Sequence, residues 1–398
     1  MKTSGDQKSV LFLTVDIGTS STKAVLWDLH RNPVAQGRSP YPTLQTQVDR
    51  SELDPDIVYR AFLAAMRLCL HAARIPPKRI VSISLSSAMH CLVGVDVRGK
   101  ALFPIQTWAD NRSSPEALYV RSQSKWRHLP DQTGCPIHAS FPLVKLRWLA
   151  KNNQRLHDKT HRFVSLKSYC LGRWLGVWIE DWSMASGTGL FDVRTFRWHP
   201  AALRAARVDR SQLPELVSPY QIIVKLSQKA ADLVGLAAGT AVIPAAGDGP
   251  LANLGSGRIG KGDLHLSLGT SGAVRVLTRL PLNIGSSGLW CYVLDDEHWV
   301  VGGSSNNGAS ILEWFFDRLK DVGRSQQAAD RLVKSLGLGP VGLLFYPYIH
   351  GERSLYWNSQ LRGALLGITS THSNLDFLQA AIEGIAFQLK SLVKAKPT

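Results

Sequence analysis

Residues 15–28 read VDIGTSSTKAVLWD. The run before Gly18, SVLFLTV, is apolar and rich in β-branched residues, and TKAVLWD after it has the same character. Two such runs separated by GTSS predict two strands joined by a tight turn. The stretch fits a plain hairpin. It also fits a hairpin that grips phosphate. Gly18 would let the backbone come close to a ligand, Thr19, Ser20 and Ser21 would supply N–H and hydroxyl donors, and Lys23 stands nearby. Asp16, at the end of the first strand, would hold Mg2+ beside the phosphates. The turn is not a Walker loop, because GxxxxGK[ST] is absent and no helix follows directly.

The same turn occurs again. Residues 263–277 read DLHLSLGTSGAVRVL, so that Gly269, Thr270 and Ser271 repeat Gly18, Thr19 and Ser20 between apolar runs. The spacing is far too long for a solenoid. It suits two similar halves, each offering a glycine–hydroxyl hairpin to the phosphates of one nucleotide. Between the turns, strands and helices alternate. Residues 55–75 have helical apolar spacing, with Asp54 placed to cap and Pro55 in the first turn. Residues 79–87 read as a strand, 91–108 as a hairpin turning near Arg98–Gly99, and 142–151 as a short amphipathic helix. Residues 239–249 read as a strand ending in the glycine-flanked Asp248. Helical periods return at 308–320 and 375–393. Mixed hairpins and βα units predict α/β domains with mixed sheets.

Bulk properties exclude several classes. The chain has 398 residues, 44% hydrophobic and 19% charged, a composition that buries a core and is not that of a disordered chain. It contains no apolar run long enough for a membrane span, and MKTSGDQKS has no signal-peptide core. Five scattered cysteines without a CxxC pair predict reduced thiols, a cytoplasmic location and no structural zinc. The net charge of +16 is spread without a basic block, which argues for a solvated surface and against nucleic acid.

Five motifs in order resemble the FGGY carbohydrate kinases, a family of the actin/hexokinase-like (ribonuclease H-like) two-domain ATPase fold. They are DIGTSSTKAVLWD, SFPLVKLRWLAKN (140–152), AAGDGPLANLGSG (245–257), LSLGTSGAVR (266–275) and GALLGITSTHSNLDFLQAAIE (363–383). Within the family, SSAMHCLVGVD (86–96), TWADNRS (107–113) and TGCPIHASFPLVKL (133–146) are similar to the gluconate-phosphorylating branch, and xylulose kinases share the Met-His pair.

The resemblance implies an ATP- and Mg2+-dependent transfer of phosphate to a sugar or sugar acid, with gluconate the leading substrate. It implies that Asp248 is the general base and Asp16 the Mg2+-associated carboxylate. Gly18, Thr19, Ser20 and Lys23 would line the phosphates from one half, and Gly269, Thr270 and Ser271 from the other. Gly302, Gly303 and Gly308 would approach the nucleotide. Met89, His90, Trp108, Asp110, Asn111 and Arg112 would contact the sugar, with Arg112 pairing the gluconate carboxylate. Lys145 and Trp148 read as helix packing.

The implied domains are a sugar-binding and catalytic one at 9–252 and a nucleotide-side one at 253–398, after a disordered tail at 1–8. The family's GGG-type adenosine segment is absent from this sequence, so the second domain is expected to be incomplete. Weak ATP binding and apolar surface at Leu378, Ile382 and Phe387 are expected with it. A homodimer or a complementing C-terminal fragment would be the partner. A non-catalytic carbohydrate-binding or regulatory protein of the same fold is the competing reading, and xylulose kinase the competing activity.

Overall fold

The computed structural model describes residues 10–395 except 46, 48, 258–259, 261, 319–333 and 335–340. The expected tail at 1–8 and the end of the helix expected at 308–320 lie outside the described residues. The chain forms two compact units. The first takes residues 1–255, 279–281 and 291–299, and the second takes 256–278, 282–290 and 300–398.

The opening hairpin is present as expected. Strand β1 (Leu11–Ile17) pairs antiparallel with β2 (Ser21–Trp27), from Phe12 opposite Trp27 to Ile17 opposite Thr22. Leu11, Leu13, Val15 and Ile17 are buried and the residues between them half-buried, the period-2 pattern of a strand with one face in the core. Strand β3 (Pro33–Pro40) continues the meander. Helix α1 (Pro55–Ala73) begins where the sequence places its cap. Asp54 Oδ1 accepts from the amides of Asp56 and Ile57, both at 2.9 Å, and Pro55 opens the first turn. Val58, Phe62, Ala65, Met66 and Cys69 bury one face of α1, and each fully buried large side chain contributes about 1.5–3 kcal/mol. Gly37 on β3 admits this helix, since a Cβ there would stand 2.3 Å from the Ala65 carbonyl oxygen.

Strand β4 (Ile80–Ser87) lies parallel to β1. Further along come helices α2 (Pro142–Asn152), α3 (Leu166–Leu175) and α4 (Trp182–Ser186), then the short strands β5 (Val224–Lys225) and β6 (Ala241–Ile243) and helix α5 (Asp248–Gly255). The six strands form one mixed sheet in the order β5-β6-β4-β1-β2-β3, with β6 also parallel to β4.

Two expectations change. The 91–108 stretch does turn at Arg98–Gly99, where the Gly99 amide donates to the Asp96 carbonyl and the Asp96 amide to the Lys100 carbonyl. Its arms do not zip together, however. Val93–Val95 pairs with residues 162–164 and Ile105–Gln106 with 52–53, leaving bridges only at Leu92–Gln106 and Val95–Ala101. The strand at 239–249 is only Ala241–Ile243, and Asp248 opens a helix.

The second unit holds the second turn between β7 (Leu264–Leu268) and β8 (Gly272–Thr278), an antiparallel pair with Leu268 opposite Gly272. Strand β9 (Trp299–Ser305) lies beside β8, and helices α6 (Ser310–Phe316) and α7 (Asn374–Lys394) pack on this unit's core. On α7, Leu378 is fully buried and Ile382 half-buried, against the expectation that both would be uncovered, whereas Phe387 is exposed. All five cysteines are free and buried. Among the described residues no helix is long and apolar enough to cross a membrane.

Candidate active site

In the first unit three chain segments leave the same sheet at the carboxyl ends of its parallel strands, where open α/β sheets bind ligands. Strand β1 ends in the Gly18 turn. Asp16 sits beside Ser86 across the parallel β1–β4 pair, and Ser86 Oγ donates to Asp16 Oδ1 at 2.9 Å. Strand β4 runs into Met89 and His90. Past β6, a parallel bridge between Ser87 and Gly247 brings the base of α5 alongside. Asp248 is therefore exposed next to Met89, its Oδ1 accepting from the amides of Gly249 at 2.8 Å and Met89 at 3.4 Å. The sequence reading placed Asp248 at the end of a strand, whereas here it opens a helix, whose first turn sets its direction.

His90 adopts a left-handed backbone, with φ +65°. Its Nδ1 lies 2.6 Å from the Gly187 carbonyl oxygen, which only accepts, so Nδ1 carries the proton and Nε2 is left as an acceptor. Nε2 faces Tyr292 Oη at 3.5 Å, and the ring packs edge-on to Phe141. Met89 is buried, wedged between two glycines. A Cβ on Gly247 would stand 2.8 Å from Met89 Sδ, and one on Gly187 would stand 2.4 Å from Met89 Cε. Met89 thus forms a packed floor under the Asp248 segment.

TWADNRS is a knot of internal bonds. Trp108 is half-buried. The fully buried Asp110 accepts from the Ser51 amide at 3.0 Å and from Arg112 Nε at 2.9 Å and Nη2 at 2.7 Å. Arg112 Nη2 also pairs with Glu52, and the guanidinium lies over the Trp148 ring. The Asn111 amide donates to the Asp49 carbonyl and its Nδ2 to the Ala109 carbonyl. Arg112 Nε and Nη2 are thus engaged by carboxylates of the protein itself, and Asp110 is turned inward, while Asn111 is half-buried.

Lys145, read as helix packing, is the residue that joins these segments. It is fully buried on α2, and its Nζ donates to the carbonyl oxygens of His90 at 2.9 Å and Thr107 at 2.6 Å. Burial pushes its pKa down to about 8, opposed by the nearby charge of Asp110. The sequence did carry a signal. In PLVKLRWL the lysine stands among residues that a short helix has to bury.

The Gly18 turn directs its carbonyls into the protein. Tyr41 Oη donates to the Gly18 carbonyl at 2.7 Å, the Tyr41 amide to that of Ser20 at 3.0 Å, and Thr43 Oγ1 to that of Thr19 at 3.3 Å. Lys23 is exposed opposite Asp16 in the hairpin register. In the second unit, the Gly269 amide donates to the Ser271 carbonyl at 2.9 Å, as that of Gly18 does to Ser21 at 3.1 Å. The Thr270 carbonyl accepts from Ser310 Oγ at 2.8 Å and the Gly269 carbonyl from the Ala309 amide at 2.7 Å. Gly308 permits this, since a Cβ there would stand 2.5 Å from the Gly269 carbonyl oxygen. Gly302 and Gly303 are buried within β9, where a Cβ would strike Val274 and Trp290 at Gly302 and Leu392 and Ser354 at Gly303. Among the described residues no group of three or more His, Cys, Asp or Glu is placed to hold a metal ion.

Each unit is of α/β type and carries a glycine–hydroxyl hairpin, and the first also carries an exposed aspartate at its strand ends. Residues 11–255 match the N-terminal domain, and residues 264–396 the C-terminal domain, of the FGGY family of carbohydrate kinases. The chain belongs to that family, of actin/hexokinase-like fold, and is an ATP-dependent sugar phosphotransferase. It is 33% identical to a gluconokinase of Bacillus subtilis (strain 168), over 96% of this chain and 76% of that one. The solved gluconate kinase of Lactobacillus acidophilus superposes with a TM-score of 0.91 at 30% identity, over 97% of this chain and 78% of the other. A ligand-bound xylulose kinase of the same species gives 0.90 at 30% identity and the same coverage.

Proposed function

We propose that this kinase phosphorylates gluconate, and that Asp248 is its general base. The observation that carries the second part is the exposed Asp248 carboxylate, opening α5 beside the Met89–His90 segment. A carboxylate at that point would take the proton from the sugar hydroxyl as its oxygen attacks phosphorus. When bound, ATP supplies the phosphoryl group and Mg2+ neutralises its charge. Mg2+ is commonly held by one or two carboxylates together with substrate phosphates and water, so the single half-exposed Asp16, braced by Ser86, fits that demand. The amides and hydroxyls of Thr19, Ser20, Thr270 and Ser271 would donate to phosphate oxygens, and Lys23 would add charge. His90 Nε2 would accept from a sugar hydroxyl.

Gluconate is supported by the relatives named for it and by the TWADNRS and SSAMHC stretches. Xylulose is the second reading. One observation favours it: Arg112 Nε and Nη2 are already paired with Asp110 and Glu52, which leaves less of the fork for a carboxylate substrate. Coupled ADP release with gluconate, xylulose and glycerol tests the choice, alongside Asp248→Asn. We expect kcat/KM at least tenfold higher for gluconate, and an Asn variant that binds sugar but turns over at least a thousandfold more slowly. Equal or faster turnover of xylulose would overturn the substrate, and an active Asn variant would overturn the base.

A further inference from the structure

Lys167 lies on α3 with a side chain only 1% exposed. Its Nζ donates to Asp181 Oδ2 at 2.7 Å and to the carbonyl oxygens of Pro244 at 2.7 Å and Ala246 at 3.1 Å. An ammonium has three protons, and each has an acceptor. Nothing is left for acid–base chemistry, and the carbonyls it holds lead straight to Asp248.

Those two carbonyls bracket Ala245, which has φ +50°, in the left-handed region that a residue with a Cβ adopts only when its surroundings impose it. The next amide, that of Gly247, donates to Ser183 Oγ at 3.1 Å. Ser183 stands in the first turn of α4, and Asp181 caps that helix by accepting from the Met184 amide at 2.9 Å. Asp181 is thus shared between the lysine and the helix. Pro244, Ala246 and Gly247 are all held by this one buried group. Burial and the Asp181 charge push the adjacent Glu180 up, and the Lys167 ammonium opposes the rise that burial causes at Asp181.

We propose that Lys167 is a positioning residue for Asp248: with Asp181 and Ser183 it clamps residues 244–247 in a strained path and so fixes the direction in which the Asp248 carboxylate leaves the sheet. The proposal rests on the reading of Asp248 as the base. It assigns to the Lys167–Asp181 pair a role chiefly in turnover, because the bonds of Lys167 go to the segment that aims the carboxylate, while Met89 and His90 meet the clamp only through packing on Gly247 and the bond to Gly187.

The test uses the full chain. Lys167→Met/Asp181→Asn removes both charges together, so that neither is left buried alone. The expected result is at least a tenfold fall in kcat, a sugar Kd within threefold of wild type, and faster amide hydrogen exchange at residues 244–249. A folded double variant with unchanged kcat, or with unchanged exchange at 244–249, overturns the proposal, as does a parallel loss of sugar binding. If the double variant does not fold, Ser183→Ala serves. It removes only the acceptor of the Gly247 amide, and a several-fold lower kcat with faster exchange at Gly247 is expected. No change in either overturns the clamp. Should the wild-type chain turn over no sugar, the reading of function fails, while the exchange comparison still judges the clamp.

Discussion

Replacing Lys145 by methionine would change how stability depends on pH. The ammonium is fully buried and titrates at about 8 in place of the ordinary 10.5. At 1.36 kcal/mol for each tenfold change in proton affinity, holding it charged below pH 8 costs the folded state roughly 3 kcal/mol. Between pH 8 and 10.5 the unfolded chain binds this proton more tightly than the folded one. Wild-type stability from this group therefore rises with pH across that window, by about the same 3 kcal/mol. Methionine does not titrate. At pH 7 it removes the cost of burying charge but leaves the His90 and Thr107 carbonyls without their donor, at about 1–3 kcal/mol each. The net change there runs from a slight gain to a loss of about 3 kcal/mol. The decisive quantity is the difference between wild type and Lys145→Met, measured by urea unfolding at pH 7, 8, 9 and 10. Other groups titrate in both proteins and cancel. The difference should widen in favour of wild type by roughly 2–3 kcal/mol towards pH 10. Curves that stay parallel from pH 7 to 10 would refute the buried-charge reading of Lys145.

Arg112→Ala leaves Asp110 and Glu52 buried without their cation and should destabilise the first unit by roughly 3–5 kcal/mol; a loss below about 1 kcal/mol in a thermal melt would show that the pair is not integral to the fold. Gly308→Ala drives a Cβ into the Gly269 carbonyl, so ATP affinity measured by titration calorimetry should fall at least tenfold while sugar affinity holds. An unchanged ATP affinity would remove the second turn from the phosphate site. The five buried thiols should resist Ellman's reagent in the native protein and react once urea unfolds it, Cys91 being further protected by a pKa raised to about 12 by burial. One fast native thiol would contradict the packing.

What the sequence made legible was local. Both GTS hairpins and the Asp54–Pro55 start of α1 are encoded within a few residues of themselves, and they appear where expected. The helical start at Asp248 was missed because GDG also reads as a turn, although Pro250 inside the first turn was a usable signal. The 91–108 arms were misjudged for another reason. Their partners, residues 162–164 and 52–53, are distant in the chain, and spacing carries no information about them. The buried lysines show the limit most clearly. A lysine in a short amphipathic helix is normally on the wet side; the apolar neighbours of Lys145 hint at packing, but the carbonyls that hold its ammonium come from distant segments.

The strand order of the first unit has a consequence for its birth on the ribosome. Strand β4 pairs with β1 almost at once, but its other neighbour is β6, where Ser82 meets Ala241. At about 5–20 residues per second, roughly ten to thirty seconds of translation pass before that edge is covered. The unit then still needs Cys291–Trp299, which emerge only after the first hairpin of the second unit has been made. Nascent protein carries an uncovered strand, and the serines at 82, 84, 86 and 87 keep that strand from being a purely apolar template for other chains.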